Sequence, residues 1–172
     1  MELNGDKIVE LIGLPDYDDR VLDLLEALGE DRDTIDDNYE RTEEKYGIIL
    51  GFDYSKLNKK QKSDSSGAKF LNSIEFYYNF KKLPFGLDDT DSYDIVVQKL
   101  GKEADFISTD KDDASHRYWF FKERGYLIWM TFEDDKLNEI YNLIVRTYEK
   151  PIKYGLGLLE YGITPHISKK EK

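Results

Sequence analysis

Tyr118-Trp119-Phe120-Phe121-Lys122-Glu123-Arg124-Gly125-Tyr126-Leu127-Ile128-Trp129-Met130-Thr131-Phe132 reads as two strands joined by a turn. Both runs are rich in the aromatic and β-branched residues that fit a pleated, half-buried surface, and Arg124-Gly125 supplies the turn. Working outward, Asp134-Asp135 is a second turn and Leu137 to Val145 a third strand. Side chains alternate between the two faces of a strand. If Ile128, Met130 and Phe132 face a helical layer, then Leu127, Trp129 and Thr131 face away, and Tyr141 and Leu143 join them from the neighbouring strand. Tyr118 to Phe121 carries aromatics on both faces. The second face is therefore either covered by the rest of the chain or an apolar surface with aromatic anchors and an acidic rim, the anatomy of a protein-binding site.

Upstream the period is that of helices. Ile8, Val9, Leu11 and Ile12 form one run before Pro15, and Val21, Leu22, Leu24, Leu25 and Leu28 form another that Gly29 stops. Asp16, Asp18 and Asp19 stand where caps and the helix dipole favour anions. The pattern recurs. Gly13-Leu14, acidic residues, an apolar run and Leu28-Gly29 are echoed by Gly86-Leu87, Asp88, Asp89 and Asp91, the run Ile95, Val96, Val97 and Leu100, and Gly101, with glycine spacings of 16 and 15. Leu71-Asn72-Ser73-Ile74 is echoed by Leu137-Asn138-Glu139-Ile140, and Tyr148 to Leu156 partly repeats Tyr78 to Leu87. The natural parse is an α+β fold of two tandem units, each one or two helices packed on a small antiparallel β-meander. Residues 1–80 form the first unit, with Ile48, Leu50 and Phe52 on one strand and a polar inserted hairpin at 53–69. Residues 81–147 form the second unit and 148–172 a C-terminal tail.

The 172 residues include 25 Lys+Arg against 36 Asp+Glu, a net charge of −11, which argues against nucleic acid or an anionic membrane as partner. Aromatic and apolar residues are too many for a disordered acidic chain. No cysteine is present, which excludes a disulfide framework, thiolate metal ligands and a cysteine nucleophile. The start, Met1 to Asp6, lacks the positive region of a signal peptide, and no run reaches the length of a membrane helix, which together point to the cytoplasm. The charge is uneven: 13 acidic and 3 basic residues lie between Asp16 and Glu44, whereas 53–69 and the chain from Arg146 onward are net basic. Asp31 to Glu44 reads as a solvated acidic loop or as an electrostatic lure for a basic partner.

Motifs for chemistry are sparse. Asp88, Asp89, Asp91 and Asp94, and again Asp110, Asp112 and Asp113, gather carboxylates. Neither cluster has both the mid-loop glycine and the terminal glutamate of a calcium loop, so helix starts and loops explain them better than metal. The two histidines, His116 and His166, belong to no hydrolase or metalloprotease signature, and no phosphate-binding loop occurs. A small hydrolase using His116 with a nearby carboxylate is the enzymatic alternative. A non-catalytic binding module of a larger assembly is the other.

Residues Tyr78 to Gly101 hold a tyrosine, Leu83-Pro84-Phe85-Gly86-Leu87, an acidic helix start and Leu100-Gly101-Lys102; Trp119, Phe121, the 126–132 strand and Leu137-Asn138-Glu139-Ile140 follow. This series resembles the repeat of bacterial proteins with the β-lactamase-inhibitory-protein fold, which is similar to the small outer-membrane assembly lipoprotein domain. The resemblance implies tandem units forming a saddle whose sheet face grips a protein. Many cytoplasmic members look like immunity proteins that neutralise a partner toxin. The secreted inhibitor's disulfides and leader, and the lipoprotein's cysteine, have no counterpart here, so the role implied is immunity in bacterial competition. The expected function is thus occlusion of the active site of a cognate basic toxin, such as a nuclease, with no cofactor, metal or catalytic residue. Trp129 and Tyr141 are the expected anchors, Glu75 and Tyr77 their counterparts in the first unit, and Asp53, Asp112 and Asp113 the charges of the rim.

Overall fold

Alternation in the strands and glycine stops in the helices organise the chain as an α+β fold. The computed structural model describes residues 2–35, 39–53, 69–107, 116–133 and 139–148. In α1 (Gly5–Val9) Asn4 caps the N-terminus and accepts from the Asp6 N–H. In α2 (Asp19–Leu28) the Asp18 carboxylate accepts from the Arg20 N–H at 3.0 Å, and Val21, Leu24, Leu25 and Leu28 are buried along one stripe. Leu22, from the same apolar run, stays on the outer side, 37% exposed. In α4 (Tyr93–Leu100) only Val96 is buried and Ile95 faces out. Both α2 and α4 end on a left-handed glycine, Gly29 and Gly101.

The acidic stretch after Gly29 departs from the loop expected of it. Residues 31–35 form a turn, and Tyr39–Tyr46 is a helix, α3. Its sequence is poor in apolar residues, so periodicity does not announce it. Polar contacts hold it instead. The Glu30 carboxylate, with its side chain fully buried, accepts from Arg41 Nε at 2.9 Å and from the Thr34 hydroxyl at 2.8 Å, and Thr42 is buried. In the second acidic cluster, Asp91 accepts from Lys99 Nζ at 2.6 Å and from the Asp88 N–H at 2.8 Å. That carboxylate closes a turn.

Among the described residues there are six strands: β1 (Ile48–Asp53), β2 (Phe70–Tyr77), β3 (Phe106–Ile107), β4 (His116–Phe121), β5 (Tyr126–Phe132) and β6 (Ile140–Thr147). They form one antiparallel sheet in the order β1-β2-β6-β5-β4-β3. The hairpin legible in the opening stretch is β4–β5, turned by a short helical turn and Gly125 at φ 75. Its partner β6 starts at Ile140; Leu137, Asn138 and the Asp134-Asp135 turn lie outside the described residues. Gly13 to Asp16 runs beside the start of β2, through Gly13 N–H to Leu71 carbonyl at 2.6 Å and Leu71 N–H to Leu14 carbonyl at 2.8 Å. The helices cover one face. Ile48, Leu50, Leu71, Ile74, Phe76, Trp119, Ile128, Met130, Phe132, Ile140, Leu143 and Val145 meet Ile8, Val21, Leu24, Leu25, Leu28 and Val96 in a single core.

Leu143 corrects the simple alternation. It was expected on the outer face beside Tyr141, yet it is wholly buried in the core opposite Met130. The register slips between Thr131 and Phe132: Thr131 pairs with Asn142, Phe132 with Ile140, and Tyr141 is the extra residue of a bulge. One added residue reverses the parity, so Tyr141 points out and Leu143 in. The β1–β2 hairpin carries the same bulge at the same place, with Gly51 opposite Ser73, Phe52 opposite Leu71, and Asn72 as the extra residue.

Candidate functional site: the second face of the sheet

The second face, which carries no helix among the described residues, is laid out by the register. Ile49, Glu75, Ile144, Trp129, Tyr118 and Phe106 form one unbroken cross-strand row over all six strands. The next row is Tyr77, Asn142, Thr131 and His116. Neighbouring strands lie about 4.8 Å apart, so Glu75 and Trp129, two strands from each other, are separated by about 10 Å. Four of the seven expected binding residues, Glu75, Tyr77, Trp129 and Tyr141, thus share this face. Asp53 is exposed at the far end of β1, opposite Phe70 and away from that group. Asp112 and Asp113 lie outside the described residues, as do most of the 53–69 insertion and of the 148–172 tail.

The two ends of the face differ. Toward β4, Tyr118 is 1% exposed and Leu127 8%, and they pack with Phe106, Phe120, Trp129 and Tyr148. Trp129 is half-buried, its ring 5.5 Å from Tyr118 and 5.6 Å from His116, and its indole nitrogen is buried. At this end Tyr118 and Leu127 are buried, and Trp129 stands partly exposed among the rings around it. Toward β2, Tyr78 and Tyr141 are 56% and 40% exposed. Their rings lie 6.1 Å apart and nearly parallel, and Tyr77 meets Tyr141 edge-on at 6.1 Å. Tyr78 donates its N–H to the Tyr141 carbonyl at 3.1 Å, which ties the end of β2 to the bulge.

A polar centre lies under these rings. Glu75 Oε1 accepts from Asn142 Nδ2 at 2.6 Å, and the Tyr77 hydroxyl also bonds to Glu75. Burial holds the Glu75 carboxyl above the ordinary glutamate range; the bonds from Tyr77 and Asn142 offset this in part, and the nearby Glu43 charge adds to it. Burial, with the Glu75 charge beside it, also raises the Tyr77 hydroxyl. Tyrosines with an apolar ring and a polar tip, set around a carboxyl that is already oriented, suit recognition by contact and hydrogen bonding. Tyr78 and Asn142 belong to the cluster and were not among the expected residues. Tyr78 sits beyond the end of its strand, where alternation has no meaning, and Asn142 reaches this face through the bulge.

The sequence matches no protein-family model and no curated protein, and no solved structure matches the chain.

Proposed function

We propose that this chain is an immunity protein, a stoichiometric inhibitor that binds a basic bacterial toxin and occludes its active site without chemistry of its own. The observation that carries the reading is the exposed tyrosine cluster, Tyr78 and Tyr141 beside Glu75, Tyr77 and Asn142, on a sheet face that no helix covers among the described residues. Exposed aromatics around an oriented polar group are the residue types that dominate binding energy at protein interfaces. The net charge of −11 would steer a basic partner toward it. In this reading the protein acts in the cytoplasm of the toxin's producer, and among the described residues no helix is long and apolar enough to cross a membrane.

The fold reading that accompanies it is of two tandem units. Two observations support it: the β1–β2 and β5–β6 hairpins share one register and one bulge, and the four glycines of the sequence echo, Gly13, Gly29, Gly86 and Gly101, all have positive φ.

Co-expression of neighbouring reading frames tests the function. One neighbour should arrest growth alone and be tolerated with this chain, and the Tyr78→Ala/Tyr141→Ala double variant should lose that protection while remaining folded. Protection unchanged in the variant, or no toxic neighbour together with stable capture into a multiprotein assembly, would overturn the proposal.

A further inference from the structure

A cavity of about 650 Å³ opens where three segments meet: the N-terminal stretch at Glu2 and Leu3, the end of α3, and the turn after β2. Its polar lining is mostly cationic. Among the described lining residues, Lys45, Lys81 and Lys82 stand against the single carboxylate of Glu2, and all three are exposed. Among the described residues none of the three ammonium groups is ion-paired, although the chain carries eleven more carboxylates than cations. Lys45 Nζ lies 4.8 Å from the centre of the Tyr46 ring. The apolar part of the lining comes from the half-buried Tyr46 and from Phe80, 4% exposed and braced edge-on by Phe76 at 4.9 Å. The walls are held by the backbone. Gly47 takes φ 69, its N–H bonds to the Glu43 carbonyl at 2.8 Å, and Asn79 Nδ2 reaches the same carbonyl. The Glu43 carbonyl, in the last turn of α3, thus accepts two hydrogen bonds.

Three ammonium groups that no described carboxylate pairs, beside an aromatic wall and in a volume typical of small-molecule sites, define a ligand by its chemistry. It carries a multiply charged anion, which lysines bind as point charges, and a flat apolar portion that packs against Tyr46 and Phe80. We propose that this cavity binds a small organic phosphate with a planar ring.

The test is calorimetric titration of adenosine monophosphate into the full chain, with adenosine as the uncharged control, and amide chemical shifts followed in parallel. The nucleotide should bind at one site and adenosine should not. The shifts should concentrate at Lys45 to Gly47 and Asn79 to Lys82. Lys81→Glu and Lys82→Glu, both on exposed side chains, should each weaken binding about tenfold and leave the circular dichroism spectrum unchanged. Absence of binding at about 1 mM nucleotide, shifts centred elsewhere, or affinity indifferent to both charge reversals would overturn the assignment. None of these outcomes bears on whether the sheet face binds a toxin.

Discussion

Leu143→Ala, set against Tyr141→Ala, probes the bulge that decides which side chains form the core. In a regular strand these two residues would share a face. Here Leu143 is fully buried between Phe76 of β2 and Met130 of β5, both also fully buried, whereas Tyr141 is 40% exposed. Truncating Leu143 removes three carbons from the core, worth about 2.5 kcal/mol at ~0.8 kcal/mol per methylene. The cavity left behind adds about 1 kcal/mol, because a sheet braced on both sides collapses only in part. The expected loss is therefore about 3–4 kcal/mol, which for a chain of this size lowers the melting temperature by about 10 °C. Tyr141→Ala loses two ring contacts and the burial of a ring that is 40% exposed, about 1–2 kcal/mol in all. Urea unfolding followed by far-ultraviolet circular dichroism gives both numbers, provided the denaturant slope is the same in the two variants. A Leu143→Ala loss below about 1 kcal/mol, or no larger than that of Tyr141→Ala, would refute the register and with it the placement of Tyr141 on the outer face of the sheet.

Two further outcomes follow from the site and its supports. The Glu75 carboxyl keeps its proton above its ordinary value of 4.5, so between the unfolded and folded pKa the native state holds more protons and stability falls as pH rises through that window. Glu75→Gln should flatten the stability curve from about pH 4.5 upward while keeping the Asn142 contact, and superimposable curves for variant and parent would contradict the assigned burial. Gly47 and Gly101 separate backbone strain from collision: a Cβ at Gly101 meets open space, whereas at Gly47 it would lie 2.7 Å from Phe80 N and against the Asn79 carboxamide. Gly101→Ala should cost about 1 kcal/mol for its left-handed backbone, and Gly47→Ala about twice that or more in the same unfolding experiment; equal costs would mean the corner between α3 and β1 yields easily.

What the sequence made legible follows from where local chemistry acts alone. The β4–β5 hairpin, with Tyr126 to Phe132 as one strand, and the glycine stops of α2 and α4 are written in adjacent residues, and they stand where alternation and capping place them. Helix α3 was not legible because its support is remote: Arg41 reaches Glu30, eleven residues back, to satisfy a buried carboxylate. Leu143 was misplaced because a bulge leaves no local mark; it depends on which residue of the partner strand is opposite. The two bulges align different residues from those of the sequence echo. In the structure Leu71-Asn72-Ser73-Ile74 corresponds by register to Ile140-Tyr141-Asn142-Leu143, not to the stretch beginning at Leu137. The site was half legible for the same reason. Glu75 and Tyr77 alternate correctly, but nothing local says that Asn142 arrives beside them or that Tyr118 and Leu127 are buried at the other end of the face.

The matched hairpins also explain why the exposed surface is where it is. At equivalent points of the two bulges the extra residue is Asn72 in β2 and Tyr141 in β6, and only the second is a large aromatic. A bulged residue is released from the ladder and pushed outward, so the same backbone feature yields a half-buried polar group in one hairpin and a protruding ring in the other. Because β2 and β6 are neighbours, the Tyr141 ring then falls beside Tyr77 and Tyr78 at the end of the first hairpin, and Asn142 falls beside Glu75. The cluster therefore needs both hairpins, joined edge to edge, and exists in neither alone. Substitutions that weaken the β2–β6 seam should disperse it even where they touch none of the tyrosines.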